Sequence, residues 1–433
     1  MSEASQMSNK RPKQEENQVD GSDGTAVLKS VSPTRIALPI LIVLAVVTYM
    51  FVNEFNLSEF AKIQWSSNSI FWILGAVVFM ISRHFFYMVR LRIITDGFFS
   101  WRKCFELIMM WEFSSAVTPT NVGGAAVAMF AITQEKLPGG HTTMIILYTV
   151  VVDTFFFLSA LLLFFFVFGP IMIQPGLYEF ASLWDSPLGT AFLIACGIMF
   201  TYGAFFFYGV LISAKGLQRL LLLICRVSFL RRFEKRAMKM THDMEEASRE
   251  LRKKNWKFHL GTYASTAAAW FSRFMVLNCL IIAFVVGSNT TFKKEITDAS
   301  GNKTETEIKA GDHYNHLVYE DLPQKTGLQL NPVTQQVFIY ARQQAMYVIM
   351  AILPTPGGAG AAEYAFQQFH SDYIPTQGTL LTILTLLWRF FTYYIYLFTG
   401  AVVVPNWVRK LINRRQEEVK QPKAKRESLE QAQ

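Results

Sequence analysis

Two short stretches of this sequence place backbone breakers and polar atoms inside apolar surroundings. The first is Thr118-Pro119-Thr120-Asn121-Val122-Gly123-Gly124-Ala125, and the second is Leu353-Pro354-Thr355-Pro356-Gly357-Gly358-Ala359-Gly360-Ala361-Ala362-Glu363. Proline lacks the helix donor and glycine weakens a helix, so each stretch predicts a break followed by a new helix start. A helix start offers free amides and the positive end of a dipole, which attract anions. Glycines at the tips let a phosphate approach the backbone. Arg389 and Arg342 add guanidinium groups, whose geometry suits phosphate. Glu363, Glu112 and Asp153 then balance those charges or recognise a cationic head group. The candidate binding set is Glu112, Thr118, Pro119, Asn121, Gly123, Gly124, Asp153, Arg342, Pro354, Pro356, Gly357, Gly358, Glu363 and Arg389. The competing expectation is that these charges form buried ion pairs that only fix helix positions. Arg273 reads as a snorkelling residue, and Tyr393 and Tyr394 as packing or interface residues.

Other chemistries have less support. No Gly-x-Ser-x-Gly elbow, His-Glu-x-x-His pair or nucleotide-binding glycine loop occurs. The seven histidines contain no obvious metal pair, and the four cysteines are scattered through or beside apolar runs. The expectation is a protein without catalytic residues, metal or cofactor.

The elements that must position the candidate residues follow from composition. Of 433 residues, 52% are hydrophobic, 15% aromatic and only 17% charged, which is an integral membrane composition. The +9 net charge flanks apolar segments instead of forming a basic domain, so it does not point to nucleic acid. Residues 1–35 read as a disordered cytoplasmic tail, with no removable signal peptide. Full spans are expected at 36–52, 70–89, 143–168, 188–213, 258–286 and 379–404. Arg83 and His84 lie inside the second and are expected to snorkel or face a cavity. The short pieces 105–117 and 125–132 around the first break suit a re-entrant hairpin, with a proline-kinked span as the alternative. Residues 333–370 suit a second hairpin, entering from the opposite face.

The segment 215–257 carries 13 Lys and Arg and reads as a basic cytoplasmic helical arm. Its Phe233, Ala237, Met240, Met244, Ala247 and Leu251 form one apolar stripe. Residues 287–332 read as a polar external loop, and 405–433 as a basic cytoplasmic tail. This arrangement puts 31 Lys and Arg inside, six outside, three within full spans and Arg342 in the second hairpin, out of 41, and both termini inside. The fold class is therefore an all-α polytopic membrane protein, about six full transmembrane helices plus two re-entrant helical hairpins in a membrane domain over 36–404. Hairpins entering from opposite faces are what an inverted repeat produces. In each half a lone charge follows the break, Asp153 at 29 positions after Gly124 and Arg389 at 31 after Gly358.

The run Phe113-Ser114-Ser115 into Thr118-Pro119 and Gly123-Gly124, then Asp153, resembles the first half of the lysylphosphatidylglycerol synthase transmembrane region. Leu353-Pro354 with Pro356-Gly357-Gly358 and Glu363, then Trp388-Arg389 with Tyr393-Tyr394, resembles its second half. The resemblance spans roughly residues 36–404. It implies a role in moving aminoacylated, polyprenyl-linked or other lipids between leaflets. The family's full-length synthases add a soluble transferase domain. Only about 29 residues follow the last span here, too few for such a domain. The combined expectation is a flippase-like translocator of a phospholipid or polyprenyl-linked lipid, in the inner (plasma) membrane. The alternatives are a membrane glycosyl- or acyltransferase using a lipid donor, and a non-transporting scaffold of a lipid-modifying complex. Expected partners are a lipid substrate and the bilayer, with a homo-oligomer or a lipid-modifying enzyme also compatible.

Overall fold

The computed structural model describes residues 61, 63, 65–118, 121–135, 137, 139–174, 176–226, 234–297, 303–327, 329–352, 360–374 and 379–430. The expected tail 1–35 and first span 36–52 lie outside the described residues, as do Pro119, Thr120 and residues 353–359 of the two breaks.

The chain forms helices α1 Ser67–Ile94, α2 Trp101–Val117, α3 Asn121–Gln134, α4 Gly139–Phe168, α5 Pro187–Phe207, α6 Ala214–Cys225, α7 Glu234–Leu251 and α8 Trp256–Phe284. A hairpin of strands β1 Thr291–Thr297 and β2 Lys303–Lys309 follows, then α9 Pro332–Ile352, α10 Ala361–His370, α11 Thr379–Arg389 and α12 Ile395–Glu430. Side-chain caps start the long helices. Ser66 accepts from the Ser69 amide at 3.1 Å to open α1, and Asn255 accepts from Phe258 at 3.0 Å to open α8.

Among the described residues, five helices are long and apolar enough to cross a membrane: Ser67–Ile94, His141–Met172, Pro187–Ile212, Trp256–Phe284 and Leu380–Leu411. They coincide with five of the six expected spans. Burial separates their roles. The apolar windows of α8 and of Leu380–Leu411 are 67% and 78% buried, against 17–33% for the other three. Those two segments form the centre. The others turn side chains such as Leu74, Phe166 and Phe200 outward, as a lipid-facing surface requires.

Helices α1 and α8 run antiparallel along their lengths. Ser69 Oγ donates to the Ala283 carbonyl at 2.8 Å at one end, and Lys254 pairs with Asp96 at the other. Two apolar clusters divide the bundle. On α1 the first cluster includes Ala76 and the second Tyr87. On α8 the first includes Val276 and the second Ala269. On α4, Leu161 belongs to the first and Val152 to the second. The seam therefore crosses near Arg83, Arg273 and Asp153, close to the middle of each helix.

Four expectations are refined or corrected. First, α3 already begins at Asn121, so Gly123 and Gly124 lie in its first turn. A Cβ at Gly124 would sit 2.0 Å from Ser115 Oγ and 2.9 Å from Ser115 Cα. Gly124 thus lets α2 and α3 close on each other, and its bare face is spent on packing. Second, Arg83 does not snorkel: its side chain is only 2% exposed. Third, the basic arm, expected on the membrane surface or against another helix, packs against another helix. It splits into α6 and α7, and Met244, Ala247 and Leu251 of its stripe are buried in the same apolar cluster as Met144, Ile145 and Tyr148 of α4. Phe233 lies outside the described residues. Fourth, the polar loop contains the antiparallel β1–β2 pair, with Thr291 opposite Lys309 and Thr297 opposite Lys303, a small strand element on an otherwise helical fold. His313, just after β2, hydrogen-bonds the Asp372 carbonyl at 2.9 Å and docks the loop on the bundle.

Exposed positions 253 and 312 lie beyond opposite ends of α8. In a chain with its native cysteines replaced, Lys253→Cys is expected to react with an impermeant reagent only from the cytoplasmic side, and Asp312→Cys only from the other. Labelling of both from one side would show that α8 does not span.

Candidate functional site

The interior charges are arranged in pairs. On α1, Arg83, Tyr87 and Arg90 follow one another at helical spacing on one face. Arg83 pairs with Glu112 of α2 and donates to the Thr392 carbonyl at 3.3 Å. Its guanidinium also lies 4.5 Å from the Tyr396 ring centre. Thr392 belongs to a single π-helical turn, Phe390–Tyr394, joining α11 to α12. Wide turns of this kind occur at functional sites, and here the turn presents a carbonyl to a buried arginine. Arg90 pairs with Asp153 of α4 at 2.7 Å. The same carboxylate oxygen accepts from Trp270 Nε1 of α8 at 3.0 Å.

Arg389 and Glu363 form a third pair at 2.8 Å, with both side chains sealed from solvent. The Arg389 guanidinium stacks 4.1 Å from the Tyr393 ring centre. Tyr393 Oη donates to the Ala116 carbonyl at 2.9 Å. That bond fastens the third pair to the end of α2, next to Thr118 and the first break. Glu363 sits in the first turn of α10, just after Gly360, whose φ of +78° suits a residue without Cβ. Glu363 Oε2 is buried with no hydrogen-bond partner among the described residues.

Arg342 does not join Arg389. It serves the other end of α10, where it donates to Asp372 at 2.5 Å and to the Phe369 carbonyl at 3.1 Å. Two further bonds reach the Ile171 carbonyl, at 3.2 and 3.0 Å. With four donors committed, Arg342 is a clamp between α9, α10 and the turn after α4. Thr118 caps α2 and donates to the Ser114 carbonyl at 2.7 Å. Asn121 and Gly123 fall in the first turn of α3. Pro119, Pro354, Pro356, Gly357 and Gly358 lie outside the described residues.

Exposure distinguishes the pairs. Glu112 and Asp153 keep 22% and 26% of their side chains accessible, while Glu363 keeps 4%. The first two carboxylates therefore keep an accessible edge near the seam, and the third is closed off. Sequence reasoning missed Arg90, Asp372 and Trp270 as partners. The spacing of Arg83 and Arg90, seven apart on one helix face, was the available signal. Among the described residues, no group of three or more His, Cys, Asp or Glu is placed to hold a metal ion.

A second charge cluster closes the hairpin at the basic end. Glu135 accepts from Lys103 Nζ and from Trp407 Nε1, each at 3.0 Å, tying α3 to α2 and α12. Burial opposes its ionisation, but the bonds from Trp407 and Lys103 outweigh that and hold the carboxyl below its ordinary value.

The arrangement is that of a polytopic helical membrane protein with paired charges at mid-height. The chain matches the family described as the lysylphosphatidylglycerol synthase TM region over residues 36–292, more than half its length, and it belongs to that family. The match includes the first hairpin, Asp153 and Arg273 and stops before the second break, whereas the motif resemblance runs to about residue 404. A UPF0104 membrane protein of Archaeoglobus fulgidus is 38% identical over 69 residues, 16% of this chain. The chain matches about a fifth (20%) of that relative's length. No solved structure matches.

Breaking a sealed pair leaves a buried charge alone, at a cost of about 3–5 kcal/mol. Arg389→Ala and Glu363→Gln are each expected to lose stability on that scale in denaturant titrations, and the double variant Arg389→Ala with Glu363→Gln less than their sum. Additive losses would show that the two side chains do not interact.

The Glu135 contribution is present above its ordinary value of 4.5 and fades as pH falls through its lower folded value. Thermal melts from pH 7 to 4 are expected to drop further for the native chain than for Glu135→Gln.

Proposed function

We propose that this membrane protein translocates a phospholipid or polyprenyl-linked lipid between leaflets. The observation that carries the reading is the half-exposed pair of carboxylates, Glu112 and Asp153, on the seam at mid-height of apolar helices. Isolated intramembrane charges are costly and typically face a substrate path or a water-filled cavity. A lipid head group crossing a bilayer needs polar partners at the depth where lipid tails offer none. The broken hairpin supports the same reading, because irregular backbone at membrane depth is tolerated only inside protein or along a cavity. Its tip is tied through Tyr393 to the Arg389–Glu363 lock, so a shift of the hairpin would be felt by α10 and α11. Family membership is consistent with a lipid-related role. The head group would enter the polar space while the tails stay in the bilayer. The chain would sit in the plasma membrane with both termini cytoplasmic. On this reading it needs no catalytic residue, no cofactor and no partner protein.

The test is head-group translocation in reconstituted vesicles, with labelled aminoacyl, anionic and polyprenyl lipids offered in turn. The native chain is expected to move at least one class faster than protein-free vesicles. Asp153→Asn is expected to slow it by about tenfold, the scale of one charge-assisted hydrogen bond. Folded native protein that moves none of the three would overturn the proposal.

A further inference from the structure

Among the described residues, the interior of the bundle carries one guanidinium more than its carboxylates pair with. Arg83, Arg90, Arg342 and Arg389 are matched to Glu112, Asp153, Asp372 and Glu363. Arg273, in the middle of α8, has no ion pair or hydrogen bond among the described residues. Its contacts are aromatic: the guanidinium lies 5.3 Å from the Trp270 ring centre and 5.0 Å from that of Tyr347 on α9.

Arg273 does not point at lipid. At 100° per residue its face of α8 is shared with Thr262, Thr266, Ala269, Trp270, Leu277 and Leu280, all of them buried. Phe271, on the opposite face, is 49% exposed. Arg273 itself is nevertheless only half-buried. A half-buried side chain on a buried face lines an internal space. That space adjoins the two pairs: Trp270 bonds Asp153 and lies 5.3 Å from the Arg273 guanidinium, and Tyr87, packed on Trp270 at 6.5 Å, lies 5.5 Å from the Arg83 guanidinium. Tyr347 is also half-buried, and its hydroxyl has no hydrogen-bond partner among the described residues.

We propose that Arg273 and the Tyr347 hydroxyl form the anion subsite of this chamber and bind a phosphodiester. The proposal rests on the translocator reading for its biological setting and deepens it by naming the group bound. A guanidinium offers paired donors to two phosphate oxygens, and the hydroxyl supplies a third donor. Charge fixes the class of ligand: one uncompensated cation at this depth is neutralised by one monoanion, the charge of a phosphodiester. The rings of Trp270 and Tyr347 meet edge-to-face, 66° apart, and flank the guanidinium, so its neighbours are aromatic and leave its N–H donors to a ligand. The carboxylates across the chamber exclude a second anion and suit a cationic group attached to the first.

The experiment measures equilibrium binding of labelled phosphatidylglycerol and of labelled diacylglycerol, which lacks the phosphate, to the full chain in detergent. The native chain is expected to favour phosphatidylglycerol by about tenfold or more, the range for a charged hydrogen-bonded contact. Arg273→Gln should remove the preference, Arg273→Lys should keep part of it, and Tyr347→Phe should weaken it by several-fold. Because Arg273 has no partner to abandon, Arg273→Gln is expected to melt no lower than the native chain, which separates a ligand role from a structural one. Millimolar inorganic phosphate that displaces the lipid would assign the subsite to the free ion, and failure to displace it would assign the subsite to lipid. Equal affinity for the two lipids, or an unchanged preference in a folded Arg273→Gln, would overturn the proposal. Selective binding without vesicle transport would sink the translocator reading and leave the subsite standing.

Discussion

A charge in an apolar interior must be neutralised where it stands, and this requirement organises the bundle. Burying an isolated ion costs several kcal/mol even after relaxation, so each interior arginine but Arg273 is held against a carboxylate on a different element. The pairs join α1 to α2, α1 to α4, α9 to the segment after α10, and α10 to α11. Apolar packing alone says little about helix register, because lipid tails compete equally well for leucine and phenylalanine. The ion pairs supply the register. Local backbone irregularities serve them: the π-turn offers the Thr392 carbonyl to Arg83, and positive-φ Gly360 starts the helix that carries Glu363.

The pairs are not equivalent, and their differences suggest how the interior works. Arg342 commits four of its five N–H donors, and Arg389–Glu363 is sealed. Both hold the second half of the chain together. Arg83–Glu112 and Arg90–Asp153 each bury the cation and leave the carboxylate accessible. The chamber proposed between them would be lined by anions from paired residues and by Arg273, which has no ion pair among the described residues. The tip of the first hairpin reaches this region through the Tyr393–Ala116 hydrogen bond and the close contact of Gly400 with Phe113. The α2–α3 pair is thereby anchored at the end next to Thr118.

Much of the fold was legible in the sequence because spans and polar breaks are one-dimensional signals. Apolar length placed five helices, and Thr118-Pro119 marked the hairpin turn. The roles of single residues were less legible. Gly123 and Gly124 were expected at a break leading into a helix start, and they lie in the first turn of α3. The Ser115 side chain pressed against Gly124 is a contact between elements that spacing does not reveal. Arg342 and Arg389 looked alike as lone intramembrane cations, yet each is claimed by a different end of α10. Arg273 looked like a snorkelling residue. Its place on the buried face of α8 could have been read from the pattern around it, but its lack of a partner is a property of the folded whole.

The most direct test is whether water reaches the chamber. In a chain with its four native cysteines replaced, the reactivity of Arg273→Cys toward a small membrane-impermeant thiol reagent would be compared with that of Phe271→Cys. The two positions lie on the same turn of α8 and face opposite ways. Modification at 273 with little at 271 is the result expected of a polar chamber open to solvent at mid-height. Modification at 271 but not at 273, or at neither in folded protein, would contradict the account.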